Sequence, residues 1–322
     1  MFGAAAATPL DHEVAPNRSL SSSHALRSAS QRALEIGRAA SPSGAVARSI
    51  PELARVHPDT FGFAVTTVDG VEFGVGASDV AFSLQSITKL FALTALLRLD
   101  PTAWEHVGWS PTELGYDSVS ELERGAGRSR NPFVNAGALV VTDRLLHHTG
   151  SAVDTVTDLI RELSGDENVA SDGAVASSEA GADHRNRALA HMLAEHGQLL
   201  NDVDVVLAHY YAQCAITASA LSVARASRFL ADRQMPDRVL DPANVRRINA
   251  VLLTSGMYNA AGEIAYRIGL PAKSGIGGGV VATLPGVGTV CAWSPPLNAD
   301  GNSVGAVAAI EAFASTSGWS VF

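Results

Sequence analysis

The chain has 322 residues, 47% of them hydrophobic, enough for a sizeable core in one large domain or two small ones. Its 32 acidic and 23 basic residues leave a net charge of −9, a surface that repels phosphate backbones and argues against nucleic acid as a partner. No window approaches the roughly 18 apolar residues of a membrane span, so no membrane association is expected.

Residues 1–30 are rich in Ala, Ser and Pro and contain the run Ser19-Leu20-Ser21-Ser22-Ser23. Such a segment buries too little apolar surface to order itself, which predicts a flexible leader ahead of a single domain over 31–322. The opening run Met1-Phe2-Gly3-Ala4 lacks a basic n-region and is too short for a signal h-region, so a cytoplasmic protein is expected. The two cysteines, Cys214 and Cys291, both lie in apolar stretches and read as buried reduced thiols.

The first strand signal is Phe61 to Val68, followed by Asp69-Gly70 and then Val71 to Val75, the pattern of a two-residue hairpin. From Gln85 the period becomes helical, with Leu90, Leu93, Leu96 and Leu97 on one face. Helices are predicted over 134–148, 153–163, 184–200, 201–212, 218–232 and 243–254, punctuated by Pro236, Pro242 and Gly256. Strands return at Gly278–Thr283 and Gly288–Ser294, joined by Leu284-Pro285-Gly286-Val287, and Ser303–Phe313 reads as a final helix. This order predicts an α/β chain of the α+β type. One antiparallel sheet forms from about 60–80 and 270–322, flanked by helices, with a helical lobe inserted over about 85–255. The cleft between sheet and lobe is a natural place for a site.

Of the 23 basic residues only two are lysine, Lys89 and Lys273, and all the rest are arginine. Wherever a fixed positive charge suffices, this chain uses Arg; Lys differs in being able to lose its proton when desolvated, as a catalytic base must. Lys89 closes Ser86-Ile87-Thr88-Lys89 at the start of a helix. Residues three apart share a face there, beside free backbone N–H groups and the positive end of the helix dipole. An amine so placed activates a serine without histidine. Lys273 opens Lys273-Ser274-Gly275, ahead of Ile276-Gly277-Gly278-Gly279, where glycines let a strand edge approach a substrate and offer N–H groups to an oxyanion. Ser-x-x-Lys early and Lys-Ser-Gly late, with helices between, match the serine β-lactamase and penicillin-binding-protein class in type and order.

Longer runs narrow the class. Phe82 to Lys89, Arg130-Asn131-Pro132-Phe133-Val134-Asn135-Ala136-Gly137-Ala138, Thr254-Ser255-Gly256-Met257-Tyr258 and Gly269 to Gly279 closely resemble the bacterial-type glutaminase family, from about residue 35 to the C-terminus. The resemblance implies hydrolysis of the side-chain amide of L-glutamine to L-glutamate and ammonia through a Ser–Lys acyl-enzyme, without a cofactor. It implies Ser86 as nucleophile, Lys89 as its base and Asn135 as a substrate-binding amide. Glu179 and Asn186 would hold the amino-acid end, Tyr210 and Tyr258 would be active-site tyrosines, and Ile276 would lend its backbone amide. Lys273 would keep Lys89 deprotonated or orient the tyrosine. Tyr210 could relay protons, so the immediate base stays open between Lys89 and a Lys89–Tyr210 pair. Taken alone, Glu179 in Ala176-Ser177-Ser178-Glu179-Ala180 reads as a solvated loop carboxylate.

The β-lactam enzymes carry a middle Ser-x-Asn or Tyr-x-Asn; here Tyr210-Tyr211-Ala212 has no asparagine third, which argues against β-lactam chemistry. Two rivals stand beside the glutaminase reading: another hydrolase on the same scaffold, and a binding protein with an inactive pocket. No metal site is expected. His147-His148 are adjacent and His191 and His196 five apart, so neither pair shares a helix face. Gly277-Gly278-Gly279 precedes a strand rather than a helix, so it fails as a dinucleotide fingerprint. The many apolar helices suit a homo-oligomer, a dimer or tetramer.

Overall fold

A computed structural model describes residues 23–232 and 239–322. The chain opens on helix α1 (Ser23–Ala40), in which Leu26, Ala29, Ser30, Ala33, Leu34 and Gly37 are buried. They recur every three or four residues, the stripe of an amphipathic helix. This corrects the leader expected over 1–30. Its residues 1–22 lie outside the described residues, and 23–30 begin α1, where an Ala- and Ser-rich composition masked the stripe. Pro236, expected to end a helix, also lies outside the described residues.

After β1 (Ala45–Val46), strands β2 (Gly62–Thr67) and β3 (Glu72–Gly76) form the first hairpin. Thr67 N donates to Val71 O at 2.9 Å and Gly70 N to Thr67 O at 3.1 Å, with Gly70 at φ +86°. The loop is therefore one residue longer than the two-residue turn expected, with glycine at its left-handed position. Strand β4 (Ala81–Ser83) leads into helices α2 (Thr88–Leu99), α3 (Ala103–Val107), α4 (Val119–Arg124), α5 (Asn135–Thr149) and α6 (Ala152–Ser164). Then come β5 (Ala170–Ser171), α7 (Gly173–Ala182), α8 (His184–Glu195), α9 (Val203–Cys214), β6 (Ile216–Ser219), α10 (Ala220–Ser227), α11 (Pro242–Ser255) and α12 (Ala261–Ile268). The chain closes with β7 (Ala272–Ser274), β8 (Gly279–Leu284), β9 (Gly288–Trp293), β10 (Pro296–Leu297) and α13 (Val304–Ser317).

The main sheet is antiparallel, in the order β3-β2-β9-β8-β7, so strands from both ends of the sequence pair. Side chains alternate across it as the pleat demands. Phe63, Val65, Val280, Ala282, Val290 and Ala292 pack with α1, α12 and α13. Ala64, Val281, Cys291 and Trp293 face the helical lobe. Helices α1 and α13 run against each other, and Gly37 and Gly305 permit the approach: a methyl on Gly37 would lie 2.8 Å from Gly305 O. A second sheet, β4-β6-β5, carries the chain toward the site. Cys214 and Cys291 are both free and buried.

In the lobe, α2 packs against α5 and α6, and every residue from Thr88 to Leu97 is buried. Leu93→Ala should lower stability by about 2–5 kcal/mol through lost burial and a residual cavity. A fall in denaturant midpoint at unchanged m-value checks this. The helix expected over 184–200 ends at Glu195, because Asp143 draws the chain into a turn: its carboxylate accepts from Leu200 N (2.9 Å) and Asn201 N (2.9 Å). The helix expected over 218–232 begins only at Ala220, since Ile216–Ser219 is a strand. Helix α7 was not expected. Its start is fixed by Asp172, whose carboxylate accepts from Ala174 N and Val175 N.

Candidate active site

Ser86 sits in a 3-10 turn, Gln85–Ile87, between β4 and α2. The turn is strained: Gln85 takes φ +50°, a region that disfavours side chains. Its side chain compensates, Nε2 donating to Ser83 Oγ at 3.1 Å and to Glu179 Oε2 at 3.5 Å. The loop after β7 lies flat on this turn. A methyl at Gly275 would stand 2.3 Å from Leu84 O and 3.2 Å from Ser86 N, and one at Gly277 only 2.0 Å from Ser83 O. Both positions thus require glycine for backbone to meet backbone. The contact brings Ile276 to line the same cleft as Ser86.

Both lysines are buried. The Lys89 amine donates to Asn135 Oδ1 at 2.5 Å and to Phe133 O at 3.4 Å; neither bond goes to Ser86. Burial pulls its pKa down to about 8, against the opposing pull of Cys214, Glu179, Asp117 and Asp183. Lys273 donates to Ser274 O at 2.6 Å, and its amine lies 4.5 Å from the centre of the Tyr258 ring. Burial first, and the Lys89 charge second, hold it well below the usual lysine range.

Tyr258 has φ +55°, donates to Ser274 O at 3.3 Å and lies against the Ser86 hydroxyl; burial raises its pKa. Tyr116 braces it, ring centres 4.5 Å apart. Tyr210 stands elsewhere in the cleft, its ring 6.0 Å from the Lys89 amine and its phenol beside Cys214. Burial, then Cys214 and Glu179, push its pKa well up. Of the two phenols, Tyr258 is the one against the serine.

Glu179 is buried on α7, its pKa pushed up to about 7 by burial and then by the Asp183 charge. It is a helical, enclosed carboxylate, unlike the solvated loop group its local sequence suggests. Asn135, first residue of α5, donates from Nδ2 to Asn186 Oδ1 on α8 at 2.9 Å, and its backbone N donates to Tyr116 O at 2.8 Å. Ser86, Asn135, Glu179, Asn186, Tyr210, Tyr258 and Ile276 line one cleft of about 190 Å³. That is smaller than the roughly 300–1,000 Å³ of drug-sized sites and suits a small metabolite. Lys89 and Lys273 lie behind its wall, reaching it through Asn135 and Tyr258.

Sequence reasoning missed Gln85, Tyr116, Asp117, Asp183, Arg185 and Cys214, which share the lining. Asp183 had a readable signal, an acceptor three residues before Asn186 at a helix start. Tyr116 and Asp117 sit in an aperiodic loop and had none. A larger cavity of about 420 Å³, lined by Phe229, Leu230, Val239 and Leu240 among others, has no Ser, Cys, Lys or Tyr among the described residues of its lining. Among the described residues, no group of three or more His, Cys, Asp or Glu is placed to hold a metal, and no helix is long and apolar enough to cross a membrane.

A Lys-Ser-Gly edge strand, set against a helical lobe whose first helix starts at Ser-x-x-Lys, defines the serine β-lactamase and penicillin-binding-protein class of fold. Comparison with known proteins narrows it. The family model for glutaminase matches residues 44–322. A glutaminase of Paraburkholderia phytofirmans is 44% identical over 285 residues, 87% of this chain and 94% of that one. The solved probable glutaminase ybaS superposes with a TM-score of 0.86 at 32% identity, covering 94% of this chain and 99% of that one. The Bacillus subtilis glutaminase YbgJ was solved as a covalent complex with 5-oxo-L-norleucine, formed by reaction with 6-diazo-5-oxo-L-norleucine. It superposes with a TM-score of 0.80 at 27% identity, over 92% and 99% of the two chains. The chain belongs to the glutaminase family, the amidohydrolases that convert L-glutamine and water to L-glutamate and ammonia.

Proposed function

We propose that this chain hydrolyses L-glutamine by two acyl transfers on Ser86, with Lys89 as base. The observation that carries the reading is the enclosure of two amines and a phenol around one strained serine turn. Burial leaves Lys89 with a pKa of about 8, so a useful fraction is neutral near neutral pH. Neutral Lys89 takes the Ser86 proton as Oγ bonds to the side-chain amide carbon. The backbone amides of Ser86 and Ile276 receive the oxyanion, which the close contact of Gly275 with Ser86 N supports. The C–N bond then breaks, and the nitrogen leaves as ammonia with the proton held by Lys89. Tyr258, against Ser86, is the phenol we assign to guide that proton, and Lys273 behind it orients the ring. Water repeats the sequence, restoring Ser86 and releasing glutamate.

Glu179 pairs with the substrate ammonium, and the Asn135 and Asn186 amides and the Tyr210 phenol hold its carboxylate. The same proposal places the protein in the cytoplasm, where two free buried thiols fit a reducing milieu. It also includes a dimer or tetramer.

The test is covalent capture. Incubation with 6-diazo-5-oxo-L-norleucine should label the peptide holding Ser86, as seen by mass spectrometry, in step with loss of ammonia release from L-glutamine. Label on another residue would reject Ser86 as nucleophile.

A further inference from the structure

We propose that Asp183 is a positioning residue for this reaction: it fixes the side-chain amides of Asn186 and Asn135 in the one sense that turns a carbonyl oxygen, not an NH₂ group, toward the Lys89 amine. The inference rests on the assignment of Lys89 as base. Its geometry is a directed chain of hydrogen bonds. Asn186 donates to Asp183 twice, from its backbone N to Oδ1 at 2.9 Å and from its side-chain Nδ2 to Oδ2. Asn135 Nδ2 donates to Asn186 Oδ1 at 2.9 Å, and Lys89 Nζ donates to Asn135 Oδ1 at 2.5 Å.

Every link follows from Asp183. An ionised carboxylate can only accept, so the Asn186 NH₂ must face it. The Asn186 oxygen then faces away, and only the NH₂ of Asn135 can bond to it. The Asn135 oxygen is left for Lys89. An amide has nearly the same shape in either sense, so packing alone does not choose between them.

The choice matters most when Lys89 is neutral, the state that acts as base. With the chain reversed, the Asn135 NH₂ would donate to the Lys89 lone pair and occupy it. With the chain as built, the oxygen accepts an N–H of the amine, and the lone pair stays free for the Ser86 proton. One hydrogen of the Asn186 NH₂ still remains for the substrate carboxylate.

Asp183 also faces Lys89 and Glu179 electrostatically and raises the pKa of both. The other charged and titratable groups around Lys89 are Glu179, Asp117, Cys214, Tyr210 and Lys273, and all remain when Asp183 is replaced.

Two replacements separate orientation from helix capping. Asp183→Ser keeps a cap for Asn186 N but is too short to hold its amide. Asp183→Asn keeps the cap and presents an NH₂ that favours the reversed chain. Both should melt within a few degrees of the wild type. In Asp183→Asn, kcat/KM for L-glutamine should fall about tenfold to a hundredfold, the worth of a misdirected hydrogen bond to an ionisable group. Asp183→Ser should fall less. The acidic limb of the pH profile should move to lower pH in both variants, since Lys89 and Glu179 lose a negative neighbour. Kinetics and pH profiles within twofold of the wild type in both variants would overturn the proposal, as would a loss that merely tracks a fall in melting temperature. Absence of ammonia release by the wild type would instead sink the glutaminase mechanism itself.

Discussion

Ser86→Ala should abolish ammonia release from L-glutamine, with kcat down by about 10⁶-fold, the loss seen when a nucleophile that works as a unit with its base is removed. In the proposed mechanism Oγ is the atom that forms the acyl-enzyme, and no other hydroxyl lies in the 85–87 turn. The fold should survive, because the change deletes one oxygen from a half-buried position. L-glutamate should still bind, since Glu179, Asn135 and Asn186 are untouched and line the cleft independently of the hydroxyl. The checks are a coupled ammonia assay and calorimetric titration with glutamate. Turnover within tenfold of the wild type would remove the serine mechanism; loss of glutamate binding as well would point to a damaged cleft.

Lys89→Arg and Lys89→Met should each lower kcat by about 10³–10⁴-fold, near the upper range for removal of a general base. Arginine keeps the charge but cannot surrender its proton, and methionine has no proton to exchange. In the wild type, kcat/KM should rise with pH through two ionisations, Glu179 near 7 and Lys89 near 8: the proposed mechanism needs ionised Glu179 for the ammonium and neutral Lys89 for Ser86. The Lys89 step should vanish in both variants.

Stability should also rise with pH. The folded-state pKa of Lys89 lies below its unfolded value of 10.5, so the unfolded chain binds more protons between about pH 8 and 10.5 and stability rises with pH across that window. At pH 7 the buried ammonium costs on the order of 3 kcal/mol. Lys89→Met removes that cost, so an inactive enzyme should melt no lower than the active one. A lower melting point with near-normal kcat would make Lys89 a structural residue.

What could be read from the sequence was what local chemistry specifies. Asp69-Gly70 and Pro285-Gly286 mark the two hairpins, and Gly70 and Gly286 do take left-handed φ. The stripe Leu90, Leu93, Leu96 and Leu97 marks α2, and an arginine-rich chain singles out the two lysines that are buried together behind the cleft.

What was illegible depends on partners far along the chain. Residues 173–182 contain two glycines and two serines and show no apolar stripe; Asp172 caps the start of α7 locally, but the packing that holds it comes from α9, some thirty residues on. Gln85 adopts its strained φ because Ser83 and Glu179 hold its side chain. Tyr116 is held at the site by its tilted ring contact with Tyr258 and by its carbonyl, which accepts from Asn135 N.

The seam between the Ser86 turn and the glycine loop has a consequence for biosynthesis. Its two sides are made far apart in time: Ser86 and Lys89 precede Gly275 and Gly277 by about 190 residues. Strands β2 and β9 likewise cannot pair until β9 has been synthesised. A nascent chain therefore holds the proposed nucleophile and base without the backbone proposed to receive an oxyanion. In the proposed mechanism, glutamine hydrolysis begins only when β7, β8 and β9 have docked beside β2.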